Sequence, residues 1–145
     1  TWREVFAVWW DYYVKARIPA QAYDHINENF FRTTFASRCM DALPMFYSVW
    51  SEFIVPAGRI DFLASPKPGT GLRACLIEFK YMTGAEADRT HLLEKDRPEP
   101  ADVRQALDYL ESLAHDPNWS HGRNVEVVIV EVGGNRGYNW FPVEG

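Results

Sequence analysis

Two apolar segments, residues 60–64 and 72–81, are joined by Ser65-Pro66-Lys67-Pro68-Gly69-Thr70-Gly71, and this join limits the fold more than any other feature of the chain. Prolines donate nothing to a sheet ladder and glycines admit positive φ, so the stretch is a hairpin loop and its flanks pair antiparallel. Side chains alternate across a strand, so Glu78 and Lys80 project together while Ile77 and Phe79 point into the core. The same alternation puts Arg59, Asp61 and Leu63 on one face and Ile60 and Phe62 on the other. A hairpin with these faces sets Asp61 beside Glu78.

The residue types then suggest a chemistry. Two carboxylates hold a hard divalent cation through oxygen ligands, and a lysine beside them steadies an attacking water as its ammonium or deprotonates it as its neutral amine. An acidic residue on one strand with Glu-x-Lys on the next is therefore the layout of a metal-dependent phosphodiesterase. Its charged groups are expected to face solvent. Neither half is informative alone, because charges alternate on the wet face of many strands and a Gly-Arg pair before a strand is ordinary turn chemistry.

Periodicity supplies the surroundings. Trp2, Phe6, Trp9 and Tyr13 recur at helical spacing, with Arg3, Glu4, Asp11 and Lys15 left for solvent, so the chain opens with an amphipathic helix that Ile18-Pro19 ends. Its aromatic stripe is either core or a docking surface. A second helix is expected over 23–43, stopped by Pro44. On it Glu28 lies one turn from Phe31 and two from Phe35, and is either a metal-site carboxylate or a charge favoured near a helix start. Residues 49–55 suit a first strand, turned by Pro56-Ala57-Gly58 into the Arg59 strand, with Glu52 flanking the site. Residues 82–100 carry many charges with Gly84, Pro98 and Pro100, and are either a mobile flap or a passive surface insertion. A helix follows over 101–114, with Asp102 at its opening, Val103, Ala106, Leu107, Leu110 and Leu113 on its apolar side, and Gln105 and Tyr109 one turn apart along the edge. Residues 125–132 form a β-branched strand central in the sheet, and 133–137 turn into a last short segment, 138–143.

Gly58-Arg59-Ile60-Asp61 and Glu78-Phe79-Lys80 resemble the catalytic motif of the PD-(D/E)xK nuclease superfamily. The Gly-Arg-x-Asp form is particularly similar to nuclease modules often fused to AAA-type ATPase domains. In that group a Ser-Glu pair commonly precedes the glycine, as Ser51-Glu52 does, and a helix with Gln and Tyr four apart follows, as Gln105 and Tyr109 do. An earlier helix that opens with Glu before aromatic residues is similar to Asn27-Glu28-Asn29-Phe30-Phe31. The resemblance spans residues 23–132. It implies an α/β fold: a restriction-endonuclease-like αβββαβ core, a mixed central sheet flanked by helices, with an extra N-terminal helix. It also implies that Asp61 and Glu78, with the Phe79 backbone carbonyl and with Glu28, hold Mg²⁺ or Mn²⁺. Lys80 would activate water or stabilise developing charge, while Arg59, Gln105 and Tyr109 would contact the substrate. The competing account has Gln105 capping a backbone group and Tyr109 merely packing.

At 145 residues the chain is expected to be a single nuclease-like domain, with 1–18 the aromatic helix, 23–132 the core and 133–145 a C-terminal extension. A hydrophobic content of 47% and an aromatic content of 15% exclude a disordered tail. No apolar stretch approaches bilayer length and no signal-peptide pattern opens the chain. Because the first residue is Thr, the expectation is a fragment or processed piece of a longer protein, acting inside a cell in cytoplasm or nucleus. Cys39 and Cys75 have no metal or redox spacing and read as buried free thiols, and His25, His91, His115 and His121 assemble into neither a zinc site nor a triad.

A net charge of -5 runs against tight binding to a polyanion. Nucleic acid, expected to be DNA, would then be gripped weakly by Arg32, Arg59, Lys67, Arg73, Lys80 and Arg89. A neighbouring domain, such as an upstream ATPase, would join at the aromatic helix. The runner-up reading is a non-catalytic, nuclease-like interaction or regulatory module beside an ATPase. Aromatic surface around Trp2, Trp9 and Trp10 would favour it, as would motif side chains that diverge or form ion pairs with neighbours.

Overall fold

Five segments rich in β-branched and aromatic residues line up as one sheet in a computed structural model that describes residues 1–16 and 27–143. The strands are β1 (Tyr47–Val55), β2 (Gly58–Pro66), β3 (Ala74–Met82), β4 (Val125–Gly133) and β5 (Gly137–Val143), and they stand side by side in chain order. β1–β2, β2–β3 and β4–β5 are antiparallel, whereas β3–β4 is parallel, so the sheet is mixed. A parallel neighbour needs a crossover. It is supplied by α3 (Gly84–Thr90), a 3₁₀ turn at Leu92–Glu94 and α4 (Pro100–Ala114). Pro100 sits at the start of α4, where its missing N–H is no loss.

The other face is covered by α1 (Trp2–Trp9), which runs on as a π-helical stretch at Trp10–Lys15, and by α2 (Glu28–Ala42). Thr1 and Glu4 close a capping box on α1, and the Asn27 side chain accepts from the Phe30 N–H at the start of α2. Two apolar layers result. Trp2, Phe6, Trp9, Phe31, Phe35, Phe62, Ile77 and Phe79 pack on the α1–α2 side, and Ile60, Leu63, Leu76, Ile129, Leu110 and Leu113 on the α4 side. Phe6 is fully buried with its ring centroid 5.2 Å from Phe35 and 4.7 Å from Tyr138, close enough for favourable tilted aromatic pairs.

The aromatic stripe is therefore core: Trp2, Trp9 and Trp10 are buried, and the aromatic surface that would have favoured an interaction module is not built from them. The last segment is a full strand, β5, paired with β4 from Val143 to Gly137, where only a short extension is expected. The 82–100 connection is a folded element that anchors Ala87 and Leu92 in the interior, because Lys95 pairs with buried Glu131 on β4 and Arg136 with Asp88. Ile60 lies with the α4 layer and Phe62 with the α1–α2 layer, so the alternation expected to keep them on one face fails between them. Cys39 and Cys75 are free and buried. The expected start of the second helix at Tyr23 and the stop at Ile18-Pro19 lie outside the described residues. No helix among the described residues is long and apolar enough to cross a membrane.

Candidate active site

The β2–β3 ladder is short. Its cross-strand pairs are Phe62 with Ile77, Leu63 with Leu76 and Ala64 with Cys75, and beyond Phe62 and Ile77 the strands part. Side chains take over where the ladder stops: the Asp61 N–H donates to Glu78 Oε1 at 3.1 Å, and the Phe79 N–H donates to Asp61 Oδ2 at 2.9 Å. Each carboxylate thus satisfies a backbone donor that the split leaves without a strand partner. Asp61 and Glu78 converge as the hairpin geometry predicts, but both are only 4% exposed, so they do not face solvent as expected.

Burial raises the Glu78 carboxyl up to about 9, helped by the negative charge of Asp61 and by a hydrogen bond between the two carboxyls. The Asp61 backbone N–H and the Lys80 charge act in the opposite direction without overcoming it.

Lys80 projects on the Glu78 side of β3, and its Nζ donates to Gln105 Oε1 at 3.3 Å and lies 3.6 Å from Asp102 Oδ1. α4 therefore points its first turns at the site, and Gln105 bonds the lysine rather than capping a backbone group. Tyr109 is buried with its hydroxyl hydrogen-bonded to the Arg59 backbone. Burial raises that hydroxyl's pKa, and the Glu78 and Asp61 charges add to the effect. The ring also explains the glycine of the Gly-Arg-x-Asp motif. Gly58 has φ +145, and a Cβ there would stand 2.9 Å from Tyr109 Cε1.

Arg59 reaches Glu52 Oε1 at 3.6 Å and Asp61 Oδ1 at 3.9 Å. Glu28, at the first turn of α2, is raised by burial and then by the charge of Asp61, while Lys80, Arg32 and Arg59 pull it down. It belongs to the same electrostatic centre. Of the six cations expected nearby, this network contains Arg32, Arg59 and Lys80. Arg73 donates instead to the Val125 carbonyl at the far end of β3, and Lys67 lies in the β2–β3 loop.

Three participants were not singled out by the motif. Arg32 is 3% exposed and contacts Asp61 Oδ1 at 3.4 Å, Glu52 Oε1 at 2.5 Å and the Asn29 side chain. Its position four residues after Glu28 was the available signal, since that spacing puts both on one helix face. Asp102 was visible only as a helix-start acid. Glu131, one strand over and in register with Lys80, is buried and held by Lys95 at 2.9 Å and Asn139 at 3.2 Å.

The donor set suits a hard divalent cation. Two adjacent buried carboxyls offer oxygen ligands, and a bound cation would supply the countercharge that burial makes costly to lack. Among the described residues no group of three or more His, Cys, Asp or Glu comes together to hold a metal.

Neither the curated proteins nor the solved structures contain a match to this chain. A family model described as the PD-(D/E)XK nuclease superfamily matches residues 26–138, most of the 145-residue chain, and covers β2, β3 and α4 with every motif residue named above. The split β2–β3 hairpin with Asp61 and Glu78 at its fork, and a sequence that fits this model across nearly all of the sheet, together make the chain a member of the PD-(D/E)XK nuclease superfamily.

Proposed function

We propose that the protein is a divalent-metal-dependent nuclease that hydrolyses phosphodiester bonds in DNA. The observation that carries this reading is the convergence of Asp61 and Glu78 at the β2–β3 fork, where both are buried and each accepts a backbone N–H from the other's strand. Asp61, Glu78 and the Phe79 carbonyl would hold Mg²⁺ or Mn²⁺, and the bound ion would supply Lewis-acid stabilisation and an acidified water. Lys80, oriented by Gln105 and Asp102, would hold or receive a proton at Nζ next to the attacked phosphate. Arg59, half exposed at the mouth, would bind a substrate phosphate. Tyr109 would hold the Arg59 backbone in place, and Glu28 would contribute charge without direct ligation.

One observation favours a second reading. Lys80 already pairs with Asp102, and Asp61 with Arg32, as expected of a nuclease-like fold kept as an interaction or regulatory module. The convergence of Asp61 and Glu78 argues the other way, because an apolar ladder could close the two strands without the cost of burying two acids side by side. The Gly-Arg-x-Asp form supports association with an AAA-type ATPase domain in the cell interior, as part of the same proposal. Incubation of the protein with plasmid and linear DNA, and with RNA of the same sequence, tests it in Mg²⁺, Mn²⁺ or chelator. Cleavage of DNA with metal and none with chelator is the expected result. Intact DNA under every metal condition would leave the module reading in its place.

A further inference from the structure

We propose that Glu52 is a positioning residue whose carboxylate draws Arg32 outward and limits it to a single long contact with Asp61, 3.4 Å from Oδ1, so that Asp61 can still take up a divalent cation. The inference rests on the reading of Asp61 and Glu78 as metal ligands.

Glu52 has φ 63, a left-handed conformation that disfavours any residue with a Cβ. It interrupts the β1–β2 ladder between the pairs Ser51–Phe62 and Phe53–Ile60, which puts the irregularity directly opposite Asp61. Its side chain is 45% exposed, so burial does not hold it there. What it touches is Arg32 and Arg59, and both guanidinium groups lie closer to Glu52 than to Asp61: 2.5 against 3.4 Å for Arg32, 3.6 against 3.9 Å for Arg59.

A guanidinium and a divalent cation compete for the same carboxylate lone pairs. Arg32 is the more serious competitor, because it is almost fully buried and its Nε has no hydrogen-bond partner. Released from Glu52, it would close further on Asp61 and leave a cation only Glu78 and the Phe79 carbonyl. The strained backbone at Glu52 places a competing anion at the one spot from which it draws Arg32 outward. Glycine would suit the backbone better and would remove that anion.

Calorimetric titration with Mn²⁺ alone tests this in four proteins: the parent, Glu52→Gln, Arg32→Gln and the double variant, each checked for a cooperative melt. Glu52→Gln keeps the size of the side chain and removes its charge, and should weaken Mn²⁺ about tenfold or more. In the Arg32→Gln background the same Glu52→Gln change should have no effect, because the competitor it restrains is gone. Arg32→Met provides a second background of similar bulk if Arg32→Gln does not fold. Equal weakening in both backgrounds would mean that Glu52 acts only as a distant charge and would overturn the proposal. So would unchanged Mn²⁺ affinity in Glu52→Gln, and the metal reading would then survive it. A parent protein that binds no Mn²⁺ would bring down the metal reading itself, and this inference with it.

Discussion

Glu78 is where one side chain controls most of the behaviour. Its folded-state pKa is raised above the unfolded value of 4.5, so the folded protein keeps a proton that the unfolded chain gives up. The stability tied to that proton is complete below pH 4.5 and is lost as pH rises toward about 9. In chelator, the melting temperature should therefore fall across that window, and Glu78→Gln, which keeps the hydrogen bond and removes the titration, should flatten the profile. Parallel profiles for the two proteins would show that Glu78 ionises freely. Lys80 is predicted to behave differently. Its ammonium touches Gln105 and Asp102 rather than either carboxyl, so Lys80→Ala should leave Mn²⁺ affinity within about threefold while turnover falls about 10²-fold or more. Loss of metal binding in that variant would place Lys80 in the ion's own support instead.

The elements explain both what the sequence shows and what it hides. β3 and β4 are legible because Ala74–Met82 and Val125–Gly133 are apolar runs with few breakers, and α4 because its apolar residues repeat every three to four positions. The fork between β2 and β3 is not legible. It depends on the Asp61 and Phe79 N–H groups choosing carboxylates over strand partners, and on Glu52 leaving the ladder, and neither leaves a trace in hydrophobic alternation. Ile60 changes layer for the same reason. β5 is hidden because Gly137, Asn139 and Pro142 read as loop residues, and an edge strand tolerates them. Gly58 joins two elements, since it starts β2 and lies under the Tyr109 ring of α4. Gly58→Ala should destabilise by about 1–3 kcal/mol, from a positive φ forced on alanine and the collision with Tyr109. Denaturant unfolding measures this, and an unchanged midpoint would mean that α4 moves aside freely.

Across the whole molecule, two layers of side chains bury the sheet, and the Asp61–Glu78 fork sits between the starts of α2 and α4. The N-terminal aromatic helix is spent on the core, where Trp2 packs on Tyr47 and Phe62 and Phe6 reaches β5 through Tyr138. Its expected use as a joining surface is left to exposed Val8, Tyr12 and Tyr13. A net charge of -5 opposes a polyanion, and among the described residues Arg32, Arg59 and Lys80 offset it near the fork. DNA affinity of this chain in Ca²⁺ should be weak and fall steeply with salt, and sub-nanomolar binding at physiological salt would contradict that. The most direct measurement of the central claim is plasmid cleavage in Mg²⁺ by the parent protein and by Glu78→Ala side by side, with melting curves showing both folded. The account predicts cleavage by the parent and none by the variant, which should still melt cooperatively in chelator because relief of a buried acid offsets the hydrogen bond lost by the Asp61 N–H. Cleavage by Glu78→Ala at the parental rate would contradict it.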